Sequence, residues 1–297
     1  MTEKISICPV CGSGKISHYL EVKDYFLSQE NFSIQECNSC SFRFVNPRPV
    51  KEEIGRYYQS DEYISHDAGK TDILSRIYKL ARRISIRRKF GIVKNYCQGG
   101  KILDIGCGTG EFLKYCQLKR FNVTGVEPND KARDYAQKHS LILTYKQLEL
   151  LEANGGSYNC ITMWHVLEHI HDLNGLLSQV KKLLSPDGIF IVAVPNSNSW
   201  DAARYKNHWA AYDVPRHLYH FTKSTLLMLV SKHGLKIRKI YPQKLDAYYV
   251  SMLSEKYQSG KTKFLKSFFH GIWSNCQAKN KDIGHSSLIF VMSVENA

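Results

Sequence analysis

No stretch of this 297-residue chain holds the roughly 20 consecutive apolar residues that a bilayer-spanning helix needs. Its first residues, MTEKISICPVCGSGK, carry no apolar leader core, so the expected location is cytoplasmic. No internal repeat and no low-complexity tract is present, which argues against repeat arrays and disordered chains. Acids are scarce: 27 Asp and Glu stand against 41 Lys and Arg, a net charge of +14. None lies between Arg76 and Lys94, where Arg76, Lys79, Arg82, Arg83, Arg87, Arg88, Lys89 and Lys94 cluster. Such an excess admits an acidic partner (nucleic acid, an anionic membrane surface or an acidic carrier) without requiring one, since charge runs commonly solvate a helix face. With 43% hydrophobic and 23% charged residues, the composition is that of a globular protein with room for one large and one small domain.

Nine cysteines, an odd number, argue against a framework of paired disulfides. Four form two C-x2-C pairs, Cys8/Cys11 and Cys37/Cys40, separated by 25 residues. Two knuckles of this spacing can supply four thiolates to one tetrahedral ion. A core as small as residues 1–48 gains most of its stability from such an ion, so structural Zn2+ in a zinc-ribbon-like domain is the expectation. A rubredoxin-type iron centre or a redox pair are the alternatives. The other five, Cys97, Cys107, Cys116, Cys160 and Cys276, sit among apolar or glycine neighbours and are expected to be buried.

Residues 49–98 are expected to link this unit to a larger one, with a short helix over 50–60 and a long basic helix over 71–97 that Gly99-Gly100 ends. From residue 99 the pattern changes. KILDIG, NVTGVEP, LILTY, NCITMW and GIFIVAVP read as strands, with helical segments between them. That alternation is the mark of βαβ units and a parallel sheet. LKIRKIYP and SLIFVMSV are two further strands, separated by an unusually long insertion, 243–286, which holds FLKSFFHGIW.

The most specific motif is Asp104-Ile105-Gly106-Cys107-Gly108-Thr109-Gly110 between the first of these strands and a helix. Its glycines permit a sharp turn and close approach of a ligand to the backbone. The spacing is G-x-G-x-G, whereas a dinucleotide fingerprint has G-x-G-x-x-G, and the lysine of a P-loop is missing. Asp104 would place a negative charge beside a bound cation. Glu127, 23 residues on and followed by Pro128, ends the second strand, where a carboxylate accepts hydrogen bonds from ribose hydroxyls. This stretch resembles class I S-adenosylmethionine (SAM)-dependent methyltransferases from about residue 99 to 240. The resemblance implies an α/β fold, a Rossmann-like seven-stranded sheet with helices on both faces and its last strand inserted antiparallel, over 99–297. It implies that the 104–110 loop holds the methionine part of SAM and Glu127 its ribose. Another nucleotide-binding Rossmann domain, or a SAM-binding or zinc-mediated interaction protein without turnover, stays open.

Ile161-Thr-Met-Trp164-His165-Val-Leu-Glu168-His169-Ile170 and, later, Leu183-Leu-Ser-Pro-Asp-Gly188 are similar to the ubiquinone-type O-methyltransferase subgroup. The resemblance puts Trp164 and His165 beside the SAM methionine. Methyl displacement from a sulfonium needs alignment and removal of a hydroxyl proton, and a histidine suits that base role. The catalytic candidates are therefore His165, His169, His217 and His220. His165, Glu168 and His169 have the i, i+3, i+4 spacing of one helix face. Some quinone and small-RNA methyltransferases carry Glu-x-x-Glu-His here with a later histidine and bind a divalent metal. Here His165 replaces the first Glu, which disfavours magnesium, and His220 is the candidate later ligand. The aromatic and polar segment 196–221 is expected to be a substrate-facing lid, in which Asp213 and Arg216 either meet substrate or brace the loop. The expected reaction is O-methylation of a small-molecule acceptor substrate, a sugar, quinone or lipid intermediate. RNA methylation is the alternative, and it predicts salt-sensitive RNA binding.

Overall fold

The computed structural model describes residues 1–58, 73–152, 157–279 and 283–295. Residues 59 and 60 of the expected short helix, and 71 and 72 of the long one, lie outside the described residues, as do the side chains of Arg76 and Lys79. A two-residue strand at Thr2–Glu3 pairs antiparallel with Arg48–Pro49, and between them lie three antiparallel strands, β1 (Ile16–Lys23), β2 (Asn31–Cys37) and β3 (Arg43–Val45). A 3-10 turn covers Ile54–Tyr58. The long helix α1 runs Ile73–Lys94 and stops before the glycine pair. The N–H groups of Asn95 and Tyr96 bond back to Ile92 and Val93 in tighter i→i−3 fashion, while the Tyr96 hydroxyl reaches Tyr241.

The alternating part follows as β4 (Lys101–Ile105), α2 (Glu111–Leu118), β5 (Asn122–Val126), α3 (Asp130–His139), β6 (Leu143–Tyr145), β7 (Tyr158–Trp164), α4 (Leu173–Leu183) and β8 (Leu184–Pro195). After it come α5 (Trp200–Tyr205), β9 (Tyr219–His220), α6 (Lys223–Lys232), β10 (Leu235–Pro242), α7 (Asp246–Ser259), α8 (Phe264–Gln277) and β11 (Ser287–Val294). Seven strands form one sheet in the order β10-β11-β8-β7-β4-β5-β6. Only β11 runs antiparallel, paired with β8 and β10. This is the mixed α/β, Rossmann-like architecture expected from the sequence.

Period-two alternation decides which residues fill which face. In β8, Phe190, Val192 and Val194 pack with Leu177 and Val180 of α4, whereas Ile189, Ile191 and Ala193 face the Phe112, Leu113 and Cys116 side of α2. Both faces are covered, so these strands read as unbroken apolar runs. Cys97, Cys107, Cys116 and Cys160 are buried as expected, but Cys276 is exposed, because it lies on the outer side of α8.

The N-terminal sheet is completed from the far part of the chain. Its order is β9-β3-β2-β1, with Tyr219 opposite Phe44 and His220 opposite Arg43. The 196–221 segment is not a loose cover. Trp209, Tyr205, Tyr212 and Val214 are almost wholly buried and share a core with Ile34, Val45, Tyr57 and Val250. Their polar atoms find partners inside: Trp209 Nε1 donates to Asp201 and the Tyr205 hydroxyl meets His270. A segment too polar for a core by composition is thereby packed as one.

Candidate functional site

Strand order reverses between β4 and β7: the chain moves outward from β4 through β5 to β6, then returns to the other side of β4. Carboxyl ends of strands at such a switch point form a crevice. The glycine loop leaves β4 there, with Gly106 and Cys107 N–H groups bonded to the Val126 carbonyl at the end of β5. Gly106 has φ +74, and a Cβ on it would lie 2.4 Å from Val166. Gly108 has φ +54 with open space where its Cβ would be, which leaves main chain alone facing the crevice. Gly110 begins α2 with no side-chain cap. Cys107 turns its thiol inward, where it would meet any Cβ on Gly125 at 2.5 Å, so only its backbone faces the crevice.

Glu127 closes one side. Its Oε2 accepts from Gly108 N–H at 2.8 Å and its Oε1 from Asn129 N–H at 2.9 Å. Pro128 is exposed beside it. Asp104 is buried beneath the loop and accepts from the Thr162 hydroxyl at 2.6 Å. Burial pushes its carboxyl up to about 7, against the Thr162 hydrogen bond and the charge of Lys89. On the other side, Trp164 packs edge-on against Phe112, and its buried Nε1 donor has no partner among the described residues. Lys89 places its ammonium 4.8 Å from the centre of the Trp164 ring. Burial lowers the Lys89 pKa, opposed by Asp104 and Asp246. Lys89 is thus a site residue that the sequence hid among the cations of α1. Arg82 of the same helix pairs with Glu111, and Arg88 donates to the Pro242 carbonyl, so the basic run partly faces protein.

His165 follows β7 in a left-handed conformation, φ +58, with its N–H on the Ala193 carbonyl. The residues after it form only a 3-10 turn, Leu167–His169, so the one-face helical spacing is not realised. His165 lies instead between two carboxylates: Nε2 is 3.1 Å from Asp246 and Nδ1 is 3.4 Å from Glu168. Burial opposes its charge, but Asp246 and Glu168 outweigh it and hold the imidazole up at about 9. The two carboxylates favour its charged form, which cannot accept a proton; the Gln243 side-chain amide also meets Nε2, at 2.9 Å.

Glu168, His169 and His217 come together behind it, with one ligand atom of each within 4.8 Å of the others. Glu168 is fully buried, and neither carboxylate oxygen has a hydrogen-bond partner of good geometry among the described residues. His169 Nδ1 faces the Arg216 carbonyl and the Tyr58 hydroxyl, each at 2.9 Å. His217 Nδ1 faces the Ala211 carbonyl at 2.9 Å. A carbonyl only accepts, so both rings carry a proton on Nδ1; His169, held low, presents a bare Nε2, while His217 Nε2 lies 3.9 Å from both Glu168 and Asp213. Burial, and His217 beside it, push His169 down to about 4. His220, the expected later ligand, is not in this group. It is buried in β9 against the edge of Tyr212, its Nε2 lacks a partner among the described residues, and burial pushes its pKa well below the ordinary value. Arg216 and Asp213 brace rather than face the crevice: the guanidinium bonds Asp213, Asp24 and the Tyr57 carbonyl.

At the other end, Cys8 and Cys40 sulfurs are 3.7 Å apart and Cys11 and Cys37 sulfurs 3.5 Å apart, with all four within 4.8 Å. A tetrahedral ion with bonds of about 2.3 Å has sulfur–sulfur edges near about 3.8 Å. Both knuckles turn alike, with Gly12 and Ser41 at positive φ four residues after the first cysteine of each.

Residues 78–240, more than half of the chain, match the family described as a methyltransferase domain. The ubiquinone biosynthesis O-methyltransferase of Actinobacillus pleuropneumoniae serotype 7 is 31% identical over 109 residues, 33% of this chain and 47% of the relative. That of Erwinia tasmaniensis is 31% identical over 155 residues, 48% of this chain and 64% of the relative. The chain therefore spans about half to under two thirds of the length of these curated relatives. Among solved structures, magnesium protoporphyrin IX methyltransferase from Synechocystis PCC 6803 with bound SAH superposes with a TM-score of 0.53 at 15% identity, covering 83% of this chain and 100% of that one. A cyclopropane synthase from Mycobacterium tuberculosis gives 0.53 at 15%, covering 82% and 98%. At that identity the likeness is one of fold.

Proposed function

This chain belongs to the methyltransferase-domain family, and from that premise we propose that it transfers the methyl group of SAM to a hydroxyl of a small-molecule acceptor. The observation that carries the reading is the crevice itself: bare main chain at Gly108, the Glu127 carboxylate at its rim and the Trp164 Nε1, which has no partner among the described residues. These fit a nucleoside with a cationic sulfur. SAM supplies a methyl on a sulfonium, a good leaving group, so the protein's work is alignment and proton removal. Glu127 would hold the ribose, and the 104–110 main chain and Lys89 the amino-acid end. His165, charged between Asp246 and Glu168, orients the acceptor side. The proton goes to the Glu168–His169–His217 group, in which the His169 Nε2 and the Glu168 carboxylate are the acceptors present. Sugars, quinones and lipid intermediates remain the acceptor classes.

Calorimetry tests the premise. Wild-type protein takes up SAM or its demethylated product, and Glu127→Ala weakens that uptake by about 100-fold, the loss of two hydrogen bonds to a charged acceptor. Absence of any uptake by folded wild-type protein removes the reading.

A second reading of the same group has its own observation. Two imidazole nitrogens and a buried carboxylate that lacks a hydrogen-bond partner of good geometry among the described residues make a His2Glu donor set, suited to zinc or a similar ion more than to magnesium. Such an ion would be held by Glu168, His169 and His217 and would lower the pKa of a hydroxyl. We further assign structural zinc to Cys8, Cys11, Cys37 and Cys40. Metal analysis should return one equivalent for the cysteines alone, and Cys37→Ser should lose that equivalent together with the near-ultraviolet signal of Phe42 and Tyr219 packed beside it.

A further inference from the structure

Helix α8 is packed inside out. Its buried positions are Ser267, Gly271 and Ser274, which lie three and four residues apart and let the backbone approach α7 closely; a Cβ on Gly271 would meet the Tyr248 ring at 2.6 Å. The large apolar side chains point the other way. Phe264, Leu265, Phe268, Phe269, Ile272 and Trp273 are exposed by between 37% and 78%. Soluble helices normally bury such a stripe, and a contiguous aromatic face on the surface marks a contact site.

The charges around the stripe identify the occupant. From Lys256 to Lys281 the sequence holds six lysines and no acid. Lys261 and Lys263 are exposed just ahead of the stripe and Lys279 beyond it, while Lys266 is taken up by the buried Glu255 at 3.0 Å. A second copy of the chain seated here would bring two lysine rims together and be repelled. An anionic lipid surface would be attracted, and aromatic rings with flanking lysines are the composition that settles at the headgroup boundary. We propose that α8 lies on an anionic membrane surface, with Phe268, Phe269 and Trp273 among the acyl chains and Lys261, Lys263 and Lys279 among the headgroups. Membrane contact would reach the crevice through α7, which α8 packs against and whose Asp246 meets His165. That link to acceptor delivery rests on the methyl-transfer reading; the docking does not.

Flotation with phosphatidylcholine vesicles, with and without about one third phosphatidylglycerol, tests it on the full chain without SAM. The wild type should float with the anionic vesicles and at least about tenfold less with the neutral ones. Phe269→Ser with Trp273→Ser should lower binding to anionic vesicles by at least about tenfold, and Lys261→Glu with Lys263→Glu by a similar factor. Both pairs are exposed, so melting curves should match the wild type and exclude misfolding. Trp273 fluorescence should shift to the blue on vesicle addition, a shift lost in Trp273→Phe. The proposal is overturned by no flotation, by flotation indifferent to the aromatic pair, or by sedimentation showing a dimer that the aromatic pair dissolves.

Discussion

Replacing Arg216 by alanine should destabilise the protein by about 3–5 kcal/mol, the cost of leaving buried charges without their partner, which is a drop of the order of 10 °C in melting temperature for a chain of this size. Arg216 is 3% exposed and joins three parts of the chain: Asp24 in the turn after β1, Asp213 before β9, and the Tyr57 carbonyl. Asp24 is itself 1% exposed and accepts from the N–H groups of Phe26, Leu27 and Ser28. Burial works against its charge, but Arg216 and Ser28 prevail and hold its pKa below the ordinary value; Asp213 is lowered in the same way. A carboxyl whose folded pKa is depressed contributes stability above its unfolded value, about 4, and loses it as pH falls through the folded value. The wild type should therefore soften in acid below about pH 4. In Arg216→Ala the stranded carboxylates gain by taking up protons, so the deficit should be largest at neutral pH and narrow as pH falls. Paired thermal melts at pH 7 and near pH 4 check both statements, and a deficit independent of pH would show that lost packing, not lost charge pairing, dominates. Arg216→Lys should recover only part, since one ammonium cannot reproduce the planar fork that serves two carboxylates.

The fold was legible because its signals are local. Strands buried on both faces make unbroken apolar runs, glycines mark the one turn that main chain must line, and Glu127 ends a strand at a spacing that few other designs share. The two cysteine knuckles carry their own geometry. The site beyond the loop was less legible, because it is assembled across the chain. Tyr58 meets His169 from 111 residues away, and Asp246 reaches His165 from an insertion that read only as unusually long, around one apolar-aromatic segment. Lys89 looked like one more cation of a solvated run; nothing in the spacing says which lysine of α1 turns under to Trp164. The arrangement of the histidines was hidden for a related reason. Spacing of i, i+3 and i+4 speaks of a helix, whereas His165 has positive φ and the turn after it is three residues long. His217 and His220 are placed differently by one short strand, β9, which begins after His217 and ends on His220, has no signature of its own and exists only because β3 offers an edge. That pairing buries His220 and leaves His217 to face Glu168.

Glu168→Gln should leave the fold and SAM binding intact and lower turnover by at least about 100-fold, the low end of what a positioned acid–base group contributes. The substitution keeps shape and removes charge at a residue that is 0% exposed and has no hydrogen-bond partner of good geometry among the described residues to lose. Three consequences separate its roles. Glu168 is one of the two carboxylates that hold His165 at about 9, so in the variant the imidazole should titrate lower, and any descending limb of the rate profile that belongs to His165 should move toward neutrality. Asp246→Asn should move it the same way, from the opposite side of the ring. If the Glu168–His169–His217 group receives the acceptor proton directly, activity should be indifferent to chelators that spare the cysteine site. If it holds an ion, the wild type should carry a second metal equivalent that both Glu168→Gln and His217→Ala lose, and turnover should fall with it. The cluster tolerates either chemistry because imidazole nitrogens and a buried carboxylate are what a proton and a divalent ion both seek; metal content and the pH profile, measured on the same preparation, decide between them. An unchanged rate in Glu168→Gln, with folding confirmed, would remove the whole group from the reaction and return the base to the acceptor's own ionisation.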